Sequence, residues 1–330
     1  MKNAIYSIRN NSVLKQLAFQ LVLIIGCFQF GHTQSVTSQP DSTAYVEVNL
    51  KDGASFIGEL VAEESDHLII KTASLGEITI DKEKVDSYEM LSSQSYVNGV
   101  YYHKTANSSR NIFAPTGYGL KKGEGYYQNF MIVVNQISYG ITDYFSMGVG
   151  FEFVSILAGA NSFGDDGGTG PSLPAFMITP KFSIPIKENK WNIGIGALAL
   201  NIPDSDNLFD VGALYGVSTW GSENSNFTVG VGIGYTEDRI SDRPLFTLSA
   251  NHRLSKRIAL VTENWIMAEE GETLTFNSIG ARYLGDKVSV DFALVGAGYF
   301  GGEFNDEPEY GISPIPLLGL TIPFGEGWKK

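Results

Sequence analysis

The stretch Phe227-Thr228-Val229-Gly230-Val231-Gly232-Ile233-Gly234-Tyr235 decides the fold. Its odd positions are large and apolar, and its even positions are threonine or glycine. Side chains of an extended chain point alternately to opposite faces, so this is a strand with one greasy face and one face of small residues. The alternation recurs at Phe145, Met147, Val149, Phe151 and Phe153, interleaved with Ser146, Gly148, Gly150 and Glu152. It recurs again at Val288, Val290, Phe292 and Leu294, interleaved with Ser289, Asp291 and Ala293. From Asn111 to Phe324 such runs follow one another, joined by tight turns at one end and mostly longer, acidic loops at the other.

A secreted β-sandwich would also alternate, because one face of each sheet packs on a core. Its water face would be rich in Lys, Glu and Arg, whereas here that face is mostly Gly, Ser, Thr and Asn. The runs are also long: soluble strands average about 5–6 residues, and strands that cross a bilayer need roughly 9–11. The pattern is that of an all-β, antiparallel transmembrane barrel, apolar outside and small or polar inside. Aromatic residues fall where interfacial girdles belong. Tyr139, Tyr144, Trp191, Trp220 and Tyr283 lie near the turns, and Tyr127, Phe153, Tyr235, Trp265 and Tyr299 near the loops.

Strands read from Asn111–Leu120, Gly125–Tyr139 and Tyr144–Val154 onward to Ser313–Phe324 number about 12, an even count as single-chain bacterial barrels have. Pro115 interrupts the first of them, and without it a count of about 10 is the alternative. The turns Ile141–Asp143, Lys187–Asn189, Gly221–Ser225, Ser255-Lys256 and Gly285-Asp286 are short and share an end with both chain termini. Short turns face the periplasm, so the N-terminal region and the C-terminus are expected there.

Residues 1–33 have the make-up of a secretory signal: Lys2, Arg9 and Lys15 precede an apolar stretch from Leu17 to Phe30, with Gly31 and Thr33 before Gln34. Two readings stand for Cys27, the only cysteine: removal with the signal, or lipidation through the box Ile24-Ile25-Gly26-Cys27. Removing 1–33 takes away three basic and no acidic residues, so the formal charge of −13 becomes −16. So acidic a chain offers no basic patch for a phosphate backbone, and nucleic acid is not an expected partner. No run of about 20 apolar residues follows the signal, which excludes a helical span.

Residues 41–91 read differently, as short strands at Tyr45–Leu50, Ser55–Ala62, His67–Thr72, Glu77–Ile80 and Val85–Met90, with Asp52-Gly53 as a hairpin turn. Five such strands imply a small SH3-like barrel. The stretch Leu50-Lys51-Asp52-Gly53, followed by Phe56, Gly58 and Leu60, resembles the opening of Sm-like domains. Those domains bind RNA through an Asn in one loop and an Arg-Gly pair in another; here the loops read Glu63-Glu64-Ser65-Asp66 and Asp81-Lys82-Glu83-Lys84. The resemblance therefore implies the fold without the RNA function, leaving a periplasmic docking module or a spacer. Residues 92–110 read as a polar linker, and 111–330 as the barrel.

As a whole the chain resembles outer-membrane β-barrel proteins of Gram-negative bacteria, on its signal, alternation, girdles and turn asymmetry. That resemblance implies outer-membrane lipid and the barrel-assembly machinery as partners, the latter reading a terminal aromatic residue that Phe324 supplies before the tail Gly325–Lys330. Catalytic chemistry is not evident. His252 is the barrel's one histidine, with Ser249 and Ser255 close in sequence, and it is expected to face outward. Gly296 to Gly301 matches a dinucleotide fingerprint by pattern only, because Gly302-Glu303-Phe304-Asn305-Asp306 does not open a helix. No cofactor or metal site is expected, the loop carboxylates being solvated. The candidate functional groups are charges on the inward register: Glu152, Arg253, Glu263, Arg282 and Asp291. Charge inside a barrel must be paired or wet. Two functions follow: a narrow passive channel for small solutes, or a closed barrel anchoring a periplasmic interaction domain. A barrel hydrolase is the remote third.

Overall fold

A computed structural model of the chain describes residues 44–91, 96–97, 100–102, 104–152, 175–201, 209, 211–236, 239–269, 272–285, 287–300 and 314–328. These fall into two compact units that divide between Lys104 and Thr105. The signal, Cys27, Phe153 and most of the long loops lie outside the described residues.

The first unit is a five-stranded antiparallel sheet of β1 (Tyr45–Leu50), β2 (Ser55–Glu63), β3 (His67–Thr72), β4 (Gly76–Asp81) and β5 (Val85–Leu91), in the order β4-β3-β2-β1-β5. The sequence reading of these strands holds to within a residue at each end. At the first turn Gly53 takes φ +89°, a left-handed conformation that favours glycine, and the Asp52 side chain accepts from Ala54 N at 2.9 Å. Val46, Val48, Leu68, Ile70 and Ile80 form its buried core, worth about 1.5–3 kcal/mol for each large side chain buried. A two-stranded hairpin, β6 (Tyr96–Val97) with β7 (Val100–Tyr101), follows.

The second unit is a closed antiparallel barrel. Its strands are β8 (Glu124–Phe130), β9 (Val134–Gly140), β10 (Phe145–Glu152), β11 (Phe176–Lys187), β12 (Trp191–Leu200) and β13 (Val211–Gly221). They continue with β14 (Ser225–Thr236), β15 (Ile240–Arg253), β16 (Ile258–Glu269), β17 (Glu272–Leu284), β18 (Ser289–Phe300) and β19 (Ile315–Gly325). Each strand pairs with its sequence neighbour, and β19 closes on β8 from Gly319 opposite Phe130 to Gly325 opposite Glu124. Alternation runs as expected: Ser146, Gly148 and Gly150 are buried while Val149 and Phe151 are exposed, and Ser289, Asp291 and Ala293 are buried while Phe292 and Leu294 are exposed.

The count of twelve strands agrees with the sequence reading, but two of the expected elements are wrong and cancel. Residues 111–120 are not a strand of the barrel, and the stretch expected as one strand from Gly125 to Tyr139 is the hairpin β8–β9. That hairpin turns through Met131 (φ 52°) and Ile132 (φ 68°), both left-handed. Tight hairpins of this kind normally use Asn-Gly or Asp-Gly, so nothing in the residue types announces the reversal. Asn129 steadies it, its Oδ1 accepting from Ile132 N at 3.1 Å.

Candidate functional site

Residues 105–120, read from sequence as the end of a linker followed by the first strand, fill the turn-end half of the barrel instead. Most are buried, among them Asn107, Arg110, Asn111, Ile112, Ala114, Thr116 and Tyr118. The segment is a loop folded back on itself: Arg110 bridges Pro115, Asn111 N donates to Ala114 O at 2.9 Å, and Thr116 N donates to Ser109 O at 3.0 Å. With so few backbone partners of its own, its peptide groups depend on the wall.

The central tie is Glu263. One carboxylate oxygen, Oε2, accepts three successive backbone N–H groups at the loop tip, from Ile112 (2.7 Å), Phe113 (2.9 Å) and Ala114 (2.9 Å). The other, Oε1, accepts Trp265 Nε1 at 2.8 Å. Hydrogen bonds to a buried charge contribute roughly 1.5–3 kcal/mol each, so this one side chain holds the tip firmly. Around it the wall grips the loop on every side. Asn111 Nδ2 donates to Ser249 Oγ at 2.6 Å, Arg110 Nη2 to Thr321 Oγ1 at 2.7 Å, and Gly117 N to Thr219 Oγ1 at 2.7 Å. Lys181 Nζ donates to Ser109 O at 2.8 Å and to Tyr118 O at 2.5 Å. Tyr118 OH donates to Gly221 O at 2.5 Å. Close approach requires glycine at 117, where a Cβ would stand 2.3 Å from Asn192 O.

Arg282 and Asp291 are cross-strand partners on β17 and β18. Arg282 Nε donates to Asp291 Oδ1 at 2.5 Å and Nη2 to Oδ2 at 3.0 Å, and Nη2 also donates to Asn111 O in the loop. The pair is buried, with Arg282 at 2% exposure, and its forked geometry is the kind that offsets desolvation of both ions.

Of the five charges singled out from sequence, Glu263, Arg282 and Asp291 thus converge on one loop. Arg253 is buried too but lies at the turns, donating to Asn224 Oδ1 at 2.8 Å and Lys256 O at 2.6 Å. Glu152 is half-buried at the far end of β10, away from this cluster. Sequence reasoning missed Arg110 and Lys181. For Lys181 the signal was present, since Thr179, Lys181 and Ser183 share the face opposite to Phe182 and Ile184.

The girdle reading divides. Tyr139, Tyr144, Trp191, Trp220 and Tyr283 are exposed on the outer face at the turn end, and Tyr127 and Tyr235 are half-buried on the same face. Trp265 is not a girdle residue: it shares the inward register of Glu263 and gives that carboxylate its indole N–H. Phe153 and the side chain of Tyr299 lie outside the described residues. His252 stands on the outward register, its Nδ1 2.9 Å from the Oγ of its cross-strand neighbour Ser225.

The loop-end half of the lumen is lined differently. There the inward positions Met177, Leu198, Val217, Leu245 and Trp265 surround a cavity of about 250 Å³, with Phe113 and Arg110 of the inner loop and Lys181 also lining it. The expectation of a uniformly small or polar interior does not hold for this half.

No protein-family model matches the chain, and no curated protein does. Among solved structures it is similar to the outer-membrane expressed OmpT of Vibrio cholerae, at 9% identity over 86% of this chain and 95% of that one, with a TM-score of 0.30. It is similar to the CymD monoaromatic hydrocarbon channel at 11% identity over 86% and 87%, with a TM-score of 0.34. It is also similar to the outer membrane channel DcaP of Acinetobacter baumannii, at 11% identity over 87% and 82%, with a TM-score of 0.28. The barrel assignment itself stands on this chain's own closed strand order.

Proposed function

We propose that this protein is an outer-membrane β-barrel held closed by its own residues 105–120, and that residues 45–91 form a periplasmic docking module. The observation that carries the closed state is Glu263, whose single carboxylate oxygen takes three backbone N–H groups of the loop tip. A narrow channel needs a continuous water path, and the loop stands across the lumen where that path would run.

The outer face supports the membrane placement. Ile195, Leu214, Phe246, Ile279, Phe292 and Leu318 are among the large apolar side chains exposed around the barrel. Soluble monomers rarely expose contiguous apolar patches beyond a few hundred Å², and a lipid-facing belt accounts for this one. Turn asymmetry supports a periplasmic position for both chain ends. Phe324, exposed near the end of β19, is the aromatic residue offered to the assembly machinery.

In the small unit, β1 lies between β2 and β5, and a 3-10 turn at Lys82–Lys84 precedes the last strand. Both features support the SH3/Sm-like reading, and its partner is a periplasmic protein. The protein is read as non-enzymatic, its Ser225–His252 contact being a cross-strand pair on the outer face. Single-channel recording of the folded, full-length protein in planar bilayers tests the closed state. Silence is expected from the native protein, and conductance steps from Glu263→Ala. Reproducible ion-selective steps from the native protein would replace this reading with the open channel.

A further inference from the structure

The cavity above the inner loop combines two features that are unusual together. Its walls are apolar, with Met177, Leu198, Val217, Leu245 and Trp265 pointing in, and Phe113, 47% exposed at the loop tip, among the residues that line it. Yet two cations, Arg110 and Lys181, stand in the same lining, only 5% and 6% exposed, and no carboxylate among the described residues lines the space. Lys181 spends two of its ammonium hydrogens on the neutral carbonyls of Ser109 and Tyr118. Arg110 donates to Thr321, Asn107 and backbone oxygens, and its Nε has no hydrogen-bond partner among the described residues. Elsewhere in the lumen Arg282 pairs with Asp291; among the described residues Lys181 has no anionic partner, and Arg110 lies over the Tyr126 and Phe130 rings and is attracted by Asp291 without forming an ion pair with it. Buried charge without a counter-ion is costly, and a ligand that supplies the missing charge recovers that cost.

We propose that this cavity is a binding site for a small organic anion, a carboxylate on an apolar body. The carboxylate lies toward Arg110 and Lys181 and the apolar body against the Met177–Leu198–Leu245 wall. Size agrees: a dry apolar cavity of about 150 Å³ holds benzene, so about 250 Å³ takes a substituted ring or a short branched chain with its head group. Gln136, Ser138, Thr179 and Thr247, also in the lining, supply neutral donors beside the charged ones. The inference rests on the closed-lumen reading, because the inner loop contributes Phe113 and Arg110 to the site.

The test is calorimetric titration of the folded, full-length protein in nonionic detergent with 4-bromobenzoate and its neutral analogue 4-bromobenzamide. The anion is expected to bind saturably, and the amide at least roughly tenfold more weakly, a difference of about 1.4 kcal/mol. Lys181→Met should bring the anion down to the amide's affinity. Ala213→Phe, which fills the cavity from a position remote from the loop's hydrogen bonds, should abolish binding of both while leaving the barrel folded. Absence of saturable binding, equal binding of the two probes, or undiminished binding by Ala213→Phe would overturn the site. The two readings fail separately. A protein silent in bilayers that binds neither probe keeps its plug and loses the site, and a protein that conducts in its native form loses the plug whatever it binds.

Discussion

The two units of this chain apply one rule in opposite directions. In residues 45–91 alternation buries Val46, Val48, Leu68 and Ile70 and leaves charged side chains outside. In the barrel the largest fully buried side chains include Arg282, Gln128, Asn111, Asn226 and Thr219, and large apolar side chains such as Ile195, Leu214 and Phe292 are exposed on the outside. Period-two patterning specifies only that the two faces differ. Which face is buried follows from the solvent each face meets, water in one case and lipid in the other. The composition of the polar face identifies which case applies, charged in the small unit and Gly, Ser, Thr and Asn in the barrel.

Breaking the buried ion pair is the largest expected effect. Arg282→Ala strands Asp291 and removes a tie to the inner loop, so barrel stability in urea titrations should fall by about 3–5 kcal/mol. The double variant Arg282→Met with Asp291→Leu should recover most of that loss, and no recovery would show that the loop contact dominates. Next comes a charge on the outer face. Ile195, 66% exposed at the middle of β12, should cost about 2–4 kcal/mol when replaced by lysine if it faces the bilayer midplane. Leu75→Lys, at a comparably exposed position of the small unit (62%), should change stability by no more than about 0.5 kcal/mol. Equal effects at the two sites would remove the distinction between lipid and water.

Gly58 sharpens the comparison within the small unit. A Cβ there would lie 2.6 Å from the backbone oxygen of Lys71, so Gly58→Ala should lower the small unit's melting temperature, at a cost of about 1–3 kcal/mol, while the barrel's transition stays in place. The smallest effect is electrostatic. The Lys82 ammonium, and then the Tyr88 hydroxyl, hydrogen-bond to Glu63 and hold its carboxyl below the ordinary value. A depressed folded-state value means that the stabilisation is present above the ordinary carboxylate range and lost as pH falls through the lowered value. Acid titration of Glu63→Gln should show a slightly shallower loss of small-unit stability than the native chain. The pair is exposed and its contribution correspondingly slight.

Much of this was legible because local pattern carried it. The small unit's strands are bounded by Asp52-Gly53 and other turn residues, and the barrel's faces by strict alternation. Glu263, Arg282 and Asp291 were found because a charge on the inward register needs a partner. The inner loop was not legible, because its peptide groups are satisfied by side chains more than a hundred positions away, such as Glu263, Thr219 and Arg282. Its polar residues Asn107-Ser108-Ser109 therefore read as linker and its apolar Ile112, Phe113 and Ala114 as strand. The β8–β9 reversal was hidden by Met131 and Ile132 in a turn that glycine or asparagine would have marked. The apolar half of the lumen was hidden for a related reason. In Ala197-Leu198-Ala199-Leu200 both faces are apolar, and alternation without contrast does not show which side points inward.

Whether residues 105–120 sit inside the barrel and close it is measured most directly by hydrogen exchange of the folded, full-length protein. The amides of Ile112, Phe113 and Ala114 should be protected to the same degree as those of β16 and β17, because opening them requires release from Glu263 deep in the wall. Exchange of these amides at the rate of an unstructured peptide, while the strands remain protected, would contradict this placement.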